Sequence, residues 1–283
     1  MKIIRTYATS ANLGPGFDCF GICLNLYNEY AFEKSSVYEI KEFNEKFCNP
    51  TNNLIIKSYE EVFKILNKNI IPIKLIELVH NIPSSRGLGS SASCIVSGVM
   101  IANDILGNVL SVDEVFQIAS SIEGHPDNVA PLIFGGLTCS FKNDVFHTIK
   151  FKCDEQFKFT VCIPSFELKT SVARSVLPKN ISMSDAVSNI SHSVALIKAL
   201  ETGDIKLLQI ANVDKLHEIY RFPLIKGADY FIDFAKNNNA TCMISGAGPT
   251  ILLISRDSLN VSFEDWEIIE QSVNNQGAYI YEK

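Results

Sequence analysis

A glycine-rich turn that runs straight into an apolar helix constrains this 283-residue chain more than any other feature. The stretch is Pro83-Ser-Ser-Arg-Gly-Leu-Gly-Ser-Ser-Ala92. Gly87 and Gly89 let the backbone turn tightly and approach a ligand closely. Ser90 and Ser91 then stand where a helix begins, beside N–H groups with no partner inside the helix and at the positive end of its dipole. Such a place binds an anion, and a hydroxyl there suits a magnesium ion. The small and apolar run over 90–106 predicts a helix that is apolar all round and therefore buried, with Gly107 closing it. No Lys-Ser/Thr follows the glycines, so the loop is not a Walker A motif. The letters from Gly87 to Ala92 also match a dinucleotide fingerprint. That fold needs an acid ending a second strand, whereas Asp104 and Asp113 fall within or between helical segments. A helix start with ordinary serine caps is the plain alternative.

Two more glycine-rich stretches add weight to a ligand site. Near the start lies Ala8-Thr-Ser-Ala-Asn-Leu-Gly-Pro-Gly-Phe-Asp-Cys-Phe-Gly21, carrying Asn12 and Asp18. Near the end, Ser245-Gly-Ala-Gly-Pro-Thr250 separates two strand-like runs. Each alone reads as a turn; three in one chain, ringed by small hydroxyl residues, point to one pocket.

Periodicity supplies the frame. Strands are predicted over 22–32, with 37–43 as its neighbour, and over 73–82, 134–141, 145–151 and 157–163. Helices are predicted over 54–66, 184–201, 205–214 and 230–237, and a capping box at Ser111-Val-Asp-Glu114 opens another that ends near Glu123. The end reads strand 240–244, glycine turn, strand 251–254, helix 264–273 and strand 278–281. Strands and helices mix without strict alternation, which predicts an α+β fold with two sheet-bearing halves, 1–155 and 156–283.

With a net charge of −6 and a 47% hydrophobic composition, the chain reads as globular and unsuited to general nucleic-acid or anionic-membrane binding. No apolar run approaches a bilayer span and no secretory h-region opens the sequence, so a cytoplasmic protein is expected. The eight cysteines are scattered without a CxxC pair and read as reduced, buried thiols.

At these residues the chain resembles the GHMP kinases, which share a motif of the form P-x-x-x-G-L-G-S-S-A. Ser10-Ala-Asn-Leu-Gly-Pro-Gly-Phe-Asp18 is similar to the first motif in its homoserine-kinase form, and 245–250 to the third. Glu123-Gly-His-Pro-Asp-Asn-Val-Ala-Pro131 resembles the segment that marks the homoserine-kinase branch. The resemblance spans residues 6–254. It implies an N-terminal half like the second domain of ribosomal protein S5, a ferredoxin-like C-terminal half and a site between them. It further implies ATP and Mg²⁺ as cofactors, and transfer of the γ-phosphoryl group to L-homoserine in threonine biosynthesis, with room for a homodimer.

The same resemblance assigns roles. The loop of Pro83, Ser84, Ser85, Arg86, Gly87, Leu88, Gly89, Ser90, Ser91 and Ala92 would wrap the ATP phosphates. Ser91, with Ser90 as the close alternative, and Glu123 would hold magnesium. Asn12, Asp18, His125, Asp127, Thr170, Arg174 and Arg221 would face homoserine. Arginine forks match a carboxylate, and Asp18 or Asp127 can take the ammonium group. One residue separates Glu123 from His125, where several relatives have a longer insert. Asp127 and Asn128 stand nearest the role of a base by motif, and His125 by its pKa. Transfer through a loose transition state needs mainly positioning and charge neutralisation, so a dedicated base is not required.

Overall fold

The computed structural model describes residues 1–282. Among them, seven strands form one sheet and four form another. In the first sheet, β1 (Lys2–Ala11), β2 (Phe20–Lys34), β3 (Glu39–Lys41), β4 (Ile73–His80), β5 (Leu137–Lys142) and β6 (Phe146–Phe151) belong to the N-terminal half. β1 and β2 pair antiparallel around the first glycine-rich loop, with a bulge between Tyr7 and Ala8. Stretch 37–43 is not the neighbour of β2 that its alternation suggests. Its short strand β3 pairs parallel with β4 instead, because β4 already occupies the free edge of β2.

Helix α1 (Leu54–Ile65) and helix α2 (Ser90–Ile105) pack against this sheet. Asn53 caps α1 by accepting from the Ile55 and Ile56 amides. α2 is the buried helix the sequence calls for, and α3 (Val112–Glu123) opens with the expected capping box and stops at Gly124, which is left-handed. The predicted strand over 134–141 is corrected at its start. Residues Val129–Phe134 form a short helix, α4, and the chain turns through Gly135 and Gly136 before β5.

The second sheet contains β7 (Lys158–Pro164), β8 (Thr241–Ile244), β9 (Ile251–Ser255) and β10 (Trp266–Gln271) in the order β10-β7-β9-β8, all antiparallel. That is the strand order of a ferredoxin-like unit. Between β7 and β8 lie α5 (Thr170–Ser175), α6 (Met183–Thr202), α7 (Ile205–Ala211), α8 (Glu218–Arg221) and α9 (Ala228–Asn237). The helix predicted over 264–273 is a strand. Trp266, Ile269 and Val273 mimic helical spacing, but the segment adds an edge to β7, and that pairing overrides the local pattern. The last strand, β11 (Tyr279–Glu282), crosses back over the division at residue 155 and pairs with β1. The cysteines are free as expected, but only Cys23, Cys153 and Cys162 are buried and Cys19 is exposed.

Candidate active site

The three glycine-rich stretches meet where the two sheets face each other. Gly87 and Gly89 are both left-handed, and each is crowded. A side chain on Gly87 would strike the backbone carbonyl of Ser245, and one on Gly89 the Thr9 hydroxyl. The Ser245 hydroxyl donates to the Gly87 carbonyl at 2.7 Å, and the Thr250 hydroxyl to that of Arg86. The first loop closes onto the third, the Asn12 amide donating to the Gly246 carbonyl at 2.8 Å while its oxygen accepts from the Asp18 N–H at 2.7 Å. Asn12 is itself left-handed, so its expected contact with substrate comes second to holding this turn.

The loop residues then divide by direction. Gly89 is the N-cap of α2 and offers no side-chain cap, which leaves the first amides of the helix facing the cleft beside Ser90 and Ser91. Leu88 and Ala92 point into the core and brace the turn. Pro83 lies outside the cleft. The Arg86 guanidinium is turned to the Pro164 and Ser165 carbonyls, tying the loop to the second sheet. Ser84, Ser85, Ser90 and Ser91 also border an adjoining apolar cavity lined by Tyr30, Phe43, Phe47 and Leu54. Nothing in the sequence pattern singled out that cavity, because Tyr30 on β2, Phe43 and Phe47 after β3, and Leu54 on α1 meet only once the chain is folded.

Beside the start of α2, the Ser91 hydroxyl donates to a Glu123 carboxylate oxygen at 2.8 Å. Burial pushes the Glu123 carboxyl above the usual range, and the Ser91 hydrogen bond pulls it part of the way back. The Asp127 carboxylate is buried against His125 Nδ1 at 3.1 Å and accepts the Asn128 N–H at 3.0 Å. The hydrogen bond to Asp127 raises the His125 pKa, which favours the imidazolium and weakens its case as a base. Asn128 accepts from the Thr9 hydroxyl at 2.8 Å.

The opposite wall carries the arginines. Arg174, on α5, grips Asp18 through two hydrogen bonds of 2.7 and 3.0 Å, which raises its pKa. Thr170 opens the same helix at the rim. Arg221, at the end of α8, is 0% exposed. It donates to the carbonyls of Ala173 and Gly246, each at 3.3 Å, and among the described residues no carboxylate lies within ion-pair distance. Burial, and then repulsion from Arg174, lower its pKa to about 10. His217 sets its orientation. The His217 Nε2 lies 2.8 Å from the Gly14 carbonyl and must donate there, so the neutral ring presents a lone pair at Nδ1, 3.3 Å from Arg221 Nη1. Burial lowers the His217 pKa and keeps the ring neutral. Phe17 stacks on His217, and both guanidinium groups lie over its ring. Phe17 and His217 went unremarked in the sequence, although Phe17 lies inside the first motif.

Comparisons with known proteins place the chain in one family. Residues 53–136 match the family described as GHMP kinases N terminal domain. The homoserine kinase of Clostridium beijerinckii is 39% identical over 100% of this chain and 99% of its own length, and that of Clostridium botulinum strain Eklund 17B is 39% identical over 98% and 97%. Among solved structures, homoserine kinase from Cytophaga hutchinsonii superposes with a TM-score of 0.86 at 26% identity, covering 99% of this chain and 96% of that one. The phosphomevalonate kinase of Streptococcus pneumoniae, at 17% identity and a TM-score of 0.70, shares the fold. Full-length identity at this level makes the chain a member of the homoserine kinases within the GHMP kinase family.

Proposed function

We propose that this protein transfers the γ-phosphoryl group of ATP to the side-chain hydroxyl of L-homoserine, giving O-phospho-L-homoserine. The observation that carries the reading is Arg221, a fully buried guanidinium that lines the cleft and, among the described residues, has no carboxylate partner. A buried charge of this kind is costly unless an anion meets it, and a substrate carboxylate supplies one. The substrate is a zwitterion, so it can enter the Asp18–Arg174 pair from both sides at once. Its ammonium replaces the guanidinium at Asp18, and its carboxylate bridges Arg174 and Arg221. Asp127 and Asn128 then orient the hydroxyl toward the glycine-rich loop.

On the other wall, the α2 amides and Ser85–Ser91 cradle the phosphates, and the adjoining aromatic cavity takes the adenosine. The donor set fits a magnesium ion, since Ser91 and Glu123 are hard oxygen donors already in contact. Among the described residues no group of three His, Cys, Asp or Glu could close a metal cage. That suits an ion that completes its shell with phosphate and water, and when bound it would neutralise charge on the transferring group. In the same proposal residues 1–155 hold the nucleotide and meet the amino acid through Asp18, Asp127 and Asn128, and residues 156–283 supply the arginines for its carboxylate. A cytoplasmic location and a step toward threonine are its remaining parts; among the described residues no helix is long and apolar enough to cross a membrane.

ADP release measured over L-homoserine, L-serine, L-threonine, mevalonate and galactose tests the reading. L-Homoserine should exceed every other alcohol in kcat/KM by about a hundredfold or more, the discrimination expected of a site built around buried polar groups. Equal activity on mevalonate or galactose would sink it.

A further inference from the structure

Asn128 stands at the start of α4 but does not cap it. An asparagine there ordinarily accepts from the first amides of its helix, and this side chain makes no such bond. Its oxygen is taken instead by the Thr9 hydroxyl, 2.8 Å away on β1. The sense of the amide follows from its other neighbour. Asn128 Nδ2 lies 3.5 Å from Asp127 Oδ1, and reversing the amide would set its oxygen against that carboxylate. With the oxygen held by Thr9, the NH₂ group keeps a hydrogen for the cleft that Asn128 lines.

Thr9 also touches the phosphate loop. Its N–H donates to the Leu88 carbonyl at 3.2 Å. Gly89, the N-cap of α2, packs against both ends of the Thr9–Asn128 bond: a β-carbon there would strike the Thr9 hydroxyl and lie 3.1 Å from the Asn128 oxygen. Thr9 itself is fully buried, so it meets the cleft only through its neighbours.

We propose that Thr9 is a positioning residue for phosphoryl transfer, holding the Asn128 amide with its N–H toward the acceptor hydroxyl and in fixed relation to the loop that carries the phosphates. The proposal rests on the reading that Asn128 orients that hydroxyl. Transfer between two bound partners depends on the attacking oxygen meeting the phosphoryl group in line, and a small displacement costs rate rather than binding. One side chain on β1 therefore joins the residue that orients the acceptor to the turn that cradles the donor. Valine has the shape of threonine without the hydroxyl, and in its place the Asn128 amide would be free to turn.

Steady-state kinetics of Thr9→Val and Thr9→Ser test this. They are compared on whichever alcohol wild type phosphorylates best, so a wrong substrate and a wrong role for Thr9 give different results. Thr9→Val should lower kcat about tenfold, the upper end for one neutral hydrogen bond, with both KM values within about threefold. Thr9→Ser keeps the hydroxyl and should restore kcat to within about threefold of wild type. Added to Asn128→Ala, Thr9→Val should cost less than about twofold more, because the two residues act as one. Should Thr9→Val lose its circular dichroism, Thr9→Ala takes its place. A normal kcat without the hydroxyl, a loss carried by KM, no recovery with serine, or a full further loss on top of Asn128→Ala would each overturn the proposal.

Discussion

The two walls of the cleft solve different problems with different materials. The N-terminal wall is made of backbone. Glycine turns, helix amides and serine hydroxyls form it, with Glu123 at the end of α3 beside Ser91. The C-terminal wall is made of full charges on short helices, Arg174 half-exposed and paired, Arg221 buried and set by His217. A triphosphate carries its own charge and its own metal, so a cradle of amides suffices to hold it. A small zwitterion has little surface to grip, and buried point charges must tell it from other alcohols.

If the N-terminal wall lowers the chemical barrier, Glu123→Gln should give the largest effect in the molecule. We expect kcat to fall about 10²–10³-fold, the usual cost of losing one preorganised electrostatic contact to a transition state. The homoserine KM should change little. Rate against magnesium concentration, with circular dichroism as the folding check, makes the measurement; a near-normal kcat would reduce Glu123 to the end of α3.

The C-terminal wall should show the reverse split. Arg221→Ala should raise the homoserine KM by about 100-fold and Arg174→Ala by about 10-fold, the two ends of the range for a charged hydrogen bond of roughly 1.5–3 kcal/mol. Arg174 ranks lower because it already has Asp18 and solvent. Lysine at either position should recover only part of the loss, having no planar fork. The ATP KM should stay within about threefold, since separate sites act nearly additively. Steady-state kinetics with each substrate varied in turn decides the matter, and a raised ATP KM instead would place these arginines on the nucleotide side.

The smallest expected effect lies just behind Arg221. Glu218 is buried, accepts the Ile244 N–H at 2.8 Å, and burial raises its carboxyl pKa from 4.5 to about 8. A carboxyl whose folded pKa is raised contributes stability that is full below its unfolded pKa and is lost as pH rises through the folded one. Glu218→Gln keeps the acceptor and removes the titration. Its melting temperature should match wild type at pH about 4.5 and exceed it by about 3 °C or more at pH about 9, the scale of one or two kcal/mol in a chain this long. Parallel melting curves across that window would show that Glu218 does not titrate there.

The difference between the walls also explains what could be read in advance. Glycines at positive φ, a serine N-cap with Glu three residues on, and an apolar run are local signals, and 83–123 carries all of them. The helices of the second wall are too short to be periodic: α5 spans six residues and α8 four, and both went unseen. The arginines they carry were found by motif alone. Their environment was not, because the Asp18–Arg174 pair joins residues 156 apart and the His217–Gly14 contact residues 203 apart. The helix read over 264–273 failed for a related reason, since the edge of β7 decided its conformation.

Whether Arg221 meets the substrate carboxylate is decided by crossing the arginine with the carboxylate. ADP release should be measured for wild type and Arg221→Ala, each with L-homoserine and with 3-aminopropan-1-ol, which keeps the hydroxyl and amine and lacks the carboxylate. Wild type should prefer L-homoserine by about a hundredfold or more in kcat/KM, and Arg221→Ala should narrow that preference to about tenfold or less, because a coupled pair gives non-additive losses. A preference that survives unchanged in Arg221→Ala would contradict the account.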